Sequence, residues 1–403
     1  MSSVQFSRSV VSDSLQPHGL QHARLPCPWI FSGGVERIDG EPQPGDTIEI
    51  HDSTGKWIAR AAYSPSSQII ARVWTFDVEE KIDRDFIRKR IDAAVQYRES
   101  LGLSKVTNAW RLVFGEADGL PGLVIDRYGD IAVCQFLTVA MDRWKRVITD
   151  ILMSMQGIET VYERSDTNAR AREGLEISEG LLAGKPLPEK FLLNEYGMNL
   201  WVDIANGHKT GCYLDQRENR RAFPIDLHGK SVLNCFCYTG GFGLRAASSG
   251  AASVTQVDSS ESALDMARKN AEANKLDESV FTYEKADVFQ YLRTCRDSRK
   301  SFDLIVLDPP KLIETQAQLE KGCRGYKDLN LLAFKLLNPG GALLTFSCSG
   351  AMTPELFQKV VGDAARDAGK SPRVSRILQQ APDHPLSLDI PEADYLTGLE
   401  LLL

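Results

Sequence analysis

Residues 231–246 read SVLNCFCYTGGFGLRA, and this stretch decides the fold. It opens with β-favouring and apolar residues, bends through Tyr238, Thr239, Gly240 and Gly241, and enters a run of small residues suited to a helix. A strand, a tight turn and a helix start are how doubly wound α/β sheets hold a nucleotide-like cofactor. Glycine lets the backbone approach a ligand without a Cβ in the way, and the helix N-terminus offers unpaired N–H groups. Gly241, Gly243 and Ala246 also satisfy GxGxxA. Taken alone, the stretch therefore suits a nicotinamide or flavin enzyme as well as one that uses S-adenosylmethionine (SAM).

The residues downstream separate these readings. A second strand over 254–258 ends at Asp258, where a carboxylate can accept both ribose hydroxyls of a bound nucleoside. A helix is predicted over 259–276, opened by serines suited to N-capping, with Ala263, Leu264, Met266, Ala267 and Ala271 on its apolar side. A third strand near 280–283 leads to Asp287, at a rim where a polar residue can read an adenine edge. Helix N-capping is the competing role, and one Asp can do both. A fourth strand over 302–307 runs into Asp308-Pro309-Pro310-Lys311. Two prolines cannot continue a ladder or start an ordinary helix, so the turn is stiff and points Asp308 out of the strand end. A carboxyl group there can hydrogen-bond the N3 and exocyclic amine of a nucleobase, for which a dehydrogenase has no use. The fifth strand, over 342–346, follows the stop signal Asn338-Pro339-Gly340-Gly341 and ends in Ser347-Cys348-Ser349-Gly350. The flanking serines predict a polar, accessible setting for Cys348. Asp258, Asp287, Asp308 and Cys348 thus share the carboxyl rim of a predicted parallel sheet, where open α/β sheets put their active sites.

A cysteine beside a base-reading carboxyl group has a chemical use. C5 of cytosine is too weak a nucleophile to attack a methyl sulfonium directly. A thiolate adding to C6 makes C5 enamine-like, and C5 can then take the methyl group. Asp308, as a donor when protonated, would stabilise the charge developing at N3. A base within folded RNA must be unstacked to reach such a pocket.

A chain of 403 residues predicts two or three domains. Its composition, 43% hydrophobic and 25% charged, is that of a soluble globular protein. No apolar run approaches the roughly 20 residues of a membrane helix, and the N-terminus carries no apolar leader core. The eight cysteines form no CxxC pairs, which predicts reduced thiols, a cytoplasmic setting and no metal. A net charge of −7 neither advertises nor excludes a nucleic-acid partner, since local basic faces decide that.

Residues 1–27 show no strand alternation and no helical stripe, and are expected to lie outside the fold as a disordered or artefactual segment. Short strands over 47–50, 57–63 and 69–76 predict a small β-barrel across 28–80. A helix over 80–101 carries Arg84, Arg88, Lys89, Arg90 and Arg98 against Asp85 and Asp92, a solvated face or a phosphate-facing one. A β-meander over 110–137, a helix over 140–155 and a strand over 160–163 fill a central α+β domain, 81–190, with 179–190 read as a connector. A strand at 199–204 opens the cofactor domain, 191–403.

Seven linked stretches identify a family. PWIFSGGV, GEADGLPGLVIDRYGD, GHKTGCYLDQRENR, LNCFCYTGGF, DPPK, RGYKD and FSCSG occur in the order found in bacterial large-subunit ribosomal RNA cytosine-5 methyltransferases that carry an N-terminal PUA domain. From Pro28 onward the chain resembles that family. The resemblance implies a PUA-like RNA-binding barrel, a central α+β domain and a doubly wound, Rossmann-like class I methyltransferase domain using SAM. It implies a pocket for SAM that includes Asn234, Phe236, Tyr238, Thr239, Gly240, Asp258, Asp287 and Asp308. Lys209, Thr210, Gly211, Asp215, Gln216 and Arg217 match a motif at the cofactor or substrate edge, and Cys348 matches the nucleophile. The implied partner is large-subunit rRNA, free or partly assembled, with no membrane; a homodimer is left open. Two departures stand out: residues 1–27 supply no recognisable first PUA strand, so the barrel is expected to be open at one edge. The closing Leu-Glu-Leu-Leu-Leu is not family-like and is expected to expose an apolar edge.

Three other readings compete. RNA methylation at a guanine or adenine nitrogen needs no thiol and would tolerate Cys348→Ala. An NAD-linked oxidoreductase would use GxGxxA but leaves DPPK without a purpose. A non-catalytic rRNA assembly factor would bind RNA without methyl transfer.

Overall fold

In the computed structural model, residues 3–6 and 27–403 are described, and the chain divides into two compact units. The first comprises residues 1–191, 202–214 and 382–393; the second comprises 192–201, 215–381 and 394–403.

The first unit begins with strand β1, Ser3–Phe6. With β2 (Trp29–Phe31), β3 (Val35–Asp39), β4 (Thr47–His51), β5 (Trp57–Tyr63) and β6 (Ile69–Thr75) it forms a sheet of order β2-β6-β5-β4-β1-β3. This corrects the sequence reading for residues 3–6; its remainder, over 7–26, lies outside the described residues. Strand β1 runs parallel to β4 and antiparallel to β3, with Val4 opposite both Ile38 and Ile50, so the first strand thought missing is present. Four residues carry too little alternation to be recognised in isolation. Ile48, Ile50, Ala59, Ala61, Ala71 and Val73 alternate into a small core of their own.

Helix α1, Arg84–Ser100, is capped by Asp83, which accepts from the Phe86 amide. Its basic run is mostly neutralised: Lys89 and Arg90 pair with Glu80, and Arg88 with Asp92. Arg98 is not on the solvated face at all. It is buried, donating to Asp118 at 2.6 Å and to the carbonyls of Arg111 and Asp383. The second sheet has the order β11-β10-β9-β8-β7, from β7 (Ala109–Phe114), β8 (Leu123–Tyr128), β9 (Ile131–Phe136), β10 (Thr160–Ser165) and β11 (Ser178–Gly184). Helix α2, Val139–Met153, makes the crossover that leaves β9 and β10 parallel. The first half of the expected connector at 179–190 is therefore β11, an antiparallel edge strand. Gly180 and Gly184 disguised it, since glycines are tolerated at an edge more readily than inside a sheet.

A hairpin missed in its first half, β12 (Phe191–Glu195) with β13 (Met198–Val202), turns on Tyr196 and Gly197, both at positive φ. The second unit is built on a sheet of order β16-β15-β14-β17-β18-β20-β19. Its strands are β14 (Ser231–Cys235), β15 (Ser253–Asp258), β16 (Phe281–Lys285), β17 (Phe302–Leu307), β18 (Leu337–Ser347), β19 (Arg373–Leu378) and β20 (Thr397–Leu402). Strands β14 to β18 are mutually parallel, and β20 is antiparallel to both its neighbours. Between them run α3 (Gly241–Ser248), α4 (Glu261–Ala273), α5 (Val288–Asp297), α6 (Leu319–Leu336) and α7 (Pro354–Asp367). The order reverses at β14/β17, the switch point where doubly wound sheets bind ligands.

The C-terminal expectation is overturned. The Leu-rich tail is not an exposed edge but the strand β20, inserted between β18 and β19, with Leu399 and Leu401 in the core. Glu400 is buried with them and accepts from Ser375 Oγ at 2.8 Å and Arg376 Nη2 at 2.9 Å. The true edge is β19, where Arg373, Ser375 and Arg376 discourage pairing with another chain. Among the described residues no helix is long and apolar enough to cross a membrane, and no group of His, Cys, Asp or Glu could hold a metal ion.

Candidate active site

Because β14 to β18 are parallel, the loops leaving their carboxyl ends share one rim. The turn after β14 is held in an unusual backbone state. Phe236 and Tyr238 both adopt left-handed φ, +57° and +48°, either side of Cys237, and Gly240 lies at +89°. Non-glycine residues adopt that region uncommonly, mostly singly at turns and helix ends, and two within three residues need contacts that hold the backbone there.

Those contacts come from residues the sequence reading passed over. Gln256, fully buried on β15, accepts from Asn234 Nδ2 at 2.7 Å and donates to the Gly240 carbonyl at 3.3 Å. Asn270, fully buried on α4, donates to the Thr239 carbonyl at 3.0 Å and accepts from the Trp201 amide at 2.6 Å. The glycines serve this packing. A Cβ on Gly240 would sit 2.8 Å from Gln256 Nε2 and 3.0 Å from Ala267 Cβ, and one on Gly243 2.5 Å from Gln256. The available signal was a polar residue at a position where a central parallel strand is otherwise apolar.

Asp258 closes the turn from the next strand. Its Oδ2 accepts from the Tyr238 amide at 2.8 Å and its Oδ1 from the Ser260 amide at 2.9 Å. Each oxygen keeps a further lone pair, and the residue is half-exposed, which fits a carboxylate receiving ribose hydroxyls. Asp287 caps α5, accepting from the Gln290 amide at 3.0 Å, and remains exposed. The capping role weighed against ligand binding is real, and the exposed carboxylate is left able to do both.

Of the GHKTGCYLDQRENR motif, Lys209, Thr210 and Gly211 belong to the first unit and Asp215, Gln216 and Arg217 to the second. Thr210 is buried and donates to Asp126 Oδ2 at 2.6 Å, while Asp126 holds Arg111 in a buried bidentate pair at 2.5 and 3.0 Å. Lys209 is exposed at φ +54°, its ammonium 4.7 Å from the Tyr213 ring centroid. Asp215 accepts from the Tyr395 hydroxyl at 2.5 Å. Gln216 accepts from Asn219 Nδ2 at 2.7 Å, and Arg217, fully enclosed, donates to Glu218 at 3.2 Å. Arg220 in the same turn forms a buried bidentate pair with Glu195 at 2.9 and 2.6 Å, and its side chain covers Gly241.

The DPPK and FSCSG turns follow neighbouring strands, β17 and β18. Asp308 is half-buried, and Cys348 lies with its Sγ 3.9 Å from the Pro309 carbonyl. The serines either side of Cys348 do not provide the polar, open surroundings expected of them. Both are buried, their hydroxyls 3.0 Å from that of Tyr326, and Cys348 between them is half-buried.

A class I methyltransferase fold, with a SAM-type site at the carboxyl rim and a PUA-like domain ahead of it, is what these features define. A family model described as S-adenosylmethionine-dependent methyltransferase matches residues 168–403, and one described as PUA-like domain matches 14–76, beginning inside the stretch read as lying outside the fold. The chain is 52% identical over 373 residues to ribosomal RNA large subunit methyltransferase I of Aeromonas hydrophila, covering 92% of this chain and 94% of that one. It is 50% identical over 372 residues to the protein of that name from Shewanella amazonensis and 48% identical over 371 to that of Escherichia coli O139:H28, with the same coverage. The chain belongs to this family of SAM-dependent methyltransferases. Among solved structures, SMU.776 complexed with SAH superposes with a TM-score of 0.84 over 100% of both chains at 21% identity, a likeness of fold.

Proposed function

We propose that the protein methylates C5 of a cytosine in large-subunit rRNA through a covalent adduct between Cys348 and C6. The observation that carries this reading is the adjacency of the Cys348 turn and the DPPK turn, with the thiol 3.9 Å from the Pro309 carbonyl. The names of the relatives supply the rRNA. Asn234, Phe236, Tyr238, Thr239, Gly240, Asp258, Asp287, Gln216 and Arg217 would hold the cofactor, and Asp308 would serve both cofactor and base. SAM supplies an electrophilic methyl group.

Cys348, as thiolate, attacks C6 of the flipped cytosine, and the ring electrons move toward N3 and C5. Protonated Asp308 donates to N3 and stabilises the charge gathering there. C5 takes the methyl group, a base removes the C5 proton, and the electrons of that C–H bond form the C5–C6 double bond as they expel the Cys348 thiolate. We assign the sheet of β1 to β6 to RNA docking, 81–190 to a central domain and 191–403 to catalysis. The test is labelled methyl transfer from SAM to unmethylated large-subunit rRNA, free or in a partly assembled subunit, followed by nucleoside mass spectrometry. The reading expects 5-methylcytosine. Label on a guanine or adenine nitrogen would overturn it, and binding without transfer would favour an assembly factor.

A further inference from the structure

We infer that Tyr326 is a positioning residue that locks the Cys348 turn to the DPPK turn. The inference rests on Cys348 being the nucleophile. Tyr326 lies in the RGYKD stretch on α6 and is completely buried. Its hydroxyl is 3.0 Å from Ser347 Oγ and 3.0 Å from Ser349 Oγ, the two residues that flank Cys348. Ser349 Oγ in turn accepts from the Ile313 amide at 3.2 Å, just beyond Lys311 of DPPK. One phenol, two hydroxyls and one amide therefore form a buried chain from α6 through the cysteine turn to the Asp308 turn.

The arrangement suits a fixed scaffold and not proton transfer to substrate. Burial pushes the Tyr326 hydroxyl above its ordinary range, so it stays protonated and can donate one hydrogen bond while accepting another. The Tyr326 ring is set edge-on against Phe357 with centroids 5.7 Å apart, and Asn330 Nδ2 donates to the Tyr326 carbonyl at 2.8 Å, which fixes the residue from two further sides. Without the phenol oxygen, Ser347 Oγ and Ser349 Oγ would lose a shared partner where water does not reach. Relaxation of that contact would be felt first at Cys348.

The test uses the full-length protein and Tyr326→Phe, with Ser347→Ala removing the same contact from its other end. Two readouts are taken, single-turnover methyl transfer and the rate at which iodoacetamide alkylates each cysteine, followed by peptide mass spectrometry. In both variants we expect methyl transfer to fall about tenfold or more, since small misplacement of a reacting group is costly. SAM affinity should be unchanged. Cys348 should alkylate severalfold faster while Cys235 and Cys295, buried in the same unit, stay unreacted. Unchanged Cys348 alkylation in either folded variant would overturn the inference, as would Cys235 and Cys295 reacting together with Cys348, the mark of general loosening. A parent protein that transfers no methyl group while its variants alkylate faster at Cys348 would support the lock and count against the proposed reaction.

Discussion

At the scale of single residues, the eight thiols divide by surroundings. Burial pushes the enclosed Cys134, Cys235, Cys237 and Cys295 up, and does the same to the half-buried Cys27 and Cys323; Cys348, half-buried as well, is the thiol that follows β18 at the carboxyl rim. Cys348→Ala should therefore reduce methyl transfer by about a thousandfold or more, as loss of a nucleophile does, with SAM binding by calorimetry unaltered. Asp303 gives a prediction in pH. Burial pushes its carboxyl up, but the Ser231 amide, Asn338 Nδ2 and the Ser231 hydroxyl outweigh this and hold it below its ordinary range. A carboxyl lowered in the folded state stabilises fully above its unfolded value of about 3.9 and loses that contribution as pH falls through the folded value. Urea midpoints of the parent should thus fall toward those of Asp303→Asn as the pH drops below about 4. A difference that grows on acidification would contradict this.

At the scale of elements, the glycine turn and α3 depend on Gln256. Gly240→Ala places a Cβ at left-handed φ and against Gln256 and Ala267, so a loss of about 1–3 kcal/mol is expected in thermal or urea unfolding, together with weakened SAM binding. Affinity and stability both at parental values would contradict the packing described. The turn itself was legible in the sequence because glycine, proline and serine announce strand ends through backbone chemistry that needs no partner. Asp258, Asp308 and Cys348 followed from it by position alone. Gln256, Asn270 and Tyr326 were not legible in that way: each acts through a hydrogen bond to an element distant in sequence, and the pairing exists only in the folded chain. Strand β11 was lost for the opposite reason, its glycines giving a local signal that the neighbouring strand overrides.

At the scale of the whole molecule, both ends of the chain are structural. A chain beginning at Pro28 lacks β1 and leaves β3 and β4 without the strand between them. Limited proteolysis should cut residues 28–76 faster in that chain than in the parent; equal rates would mean that β1 contributes nothing. Removing residues 397–403 would strip β18 and β19 of their common neighbour and expose Leu399 and Leu401's packing surface, so that product should be insoluble. Strands β1 and β20 were missed because a strand four to six residues long, set near a terminus, declares itself only through the strands it joins. The central claim, a Cys348 adduct with C6 of cytosine, is tested most directly with RNA containing 5-fluorocytidine. Fluorine at C5 blocks the proton loss that releases the enzyme, so in the presence of SAM the account predicts a stable protein–RNA adduct whose digested peptide carries the nucleotide on Cys348. No adduct with RNA whose unfluorinated form is methylated, or an adduct on any other residue, would contradict it.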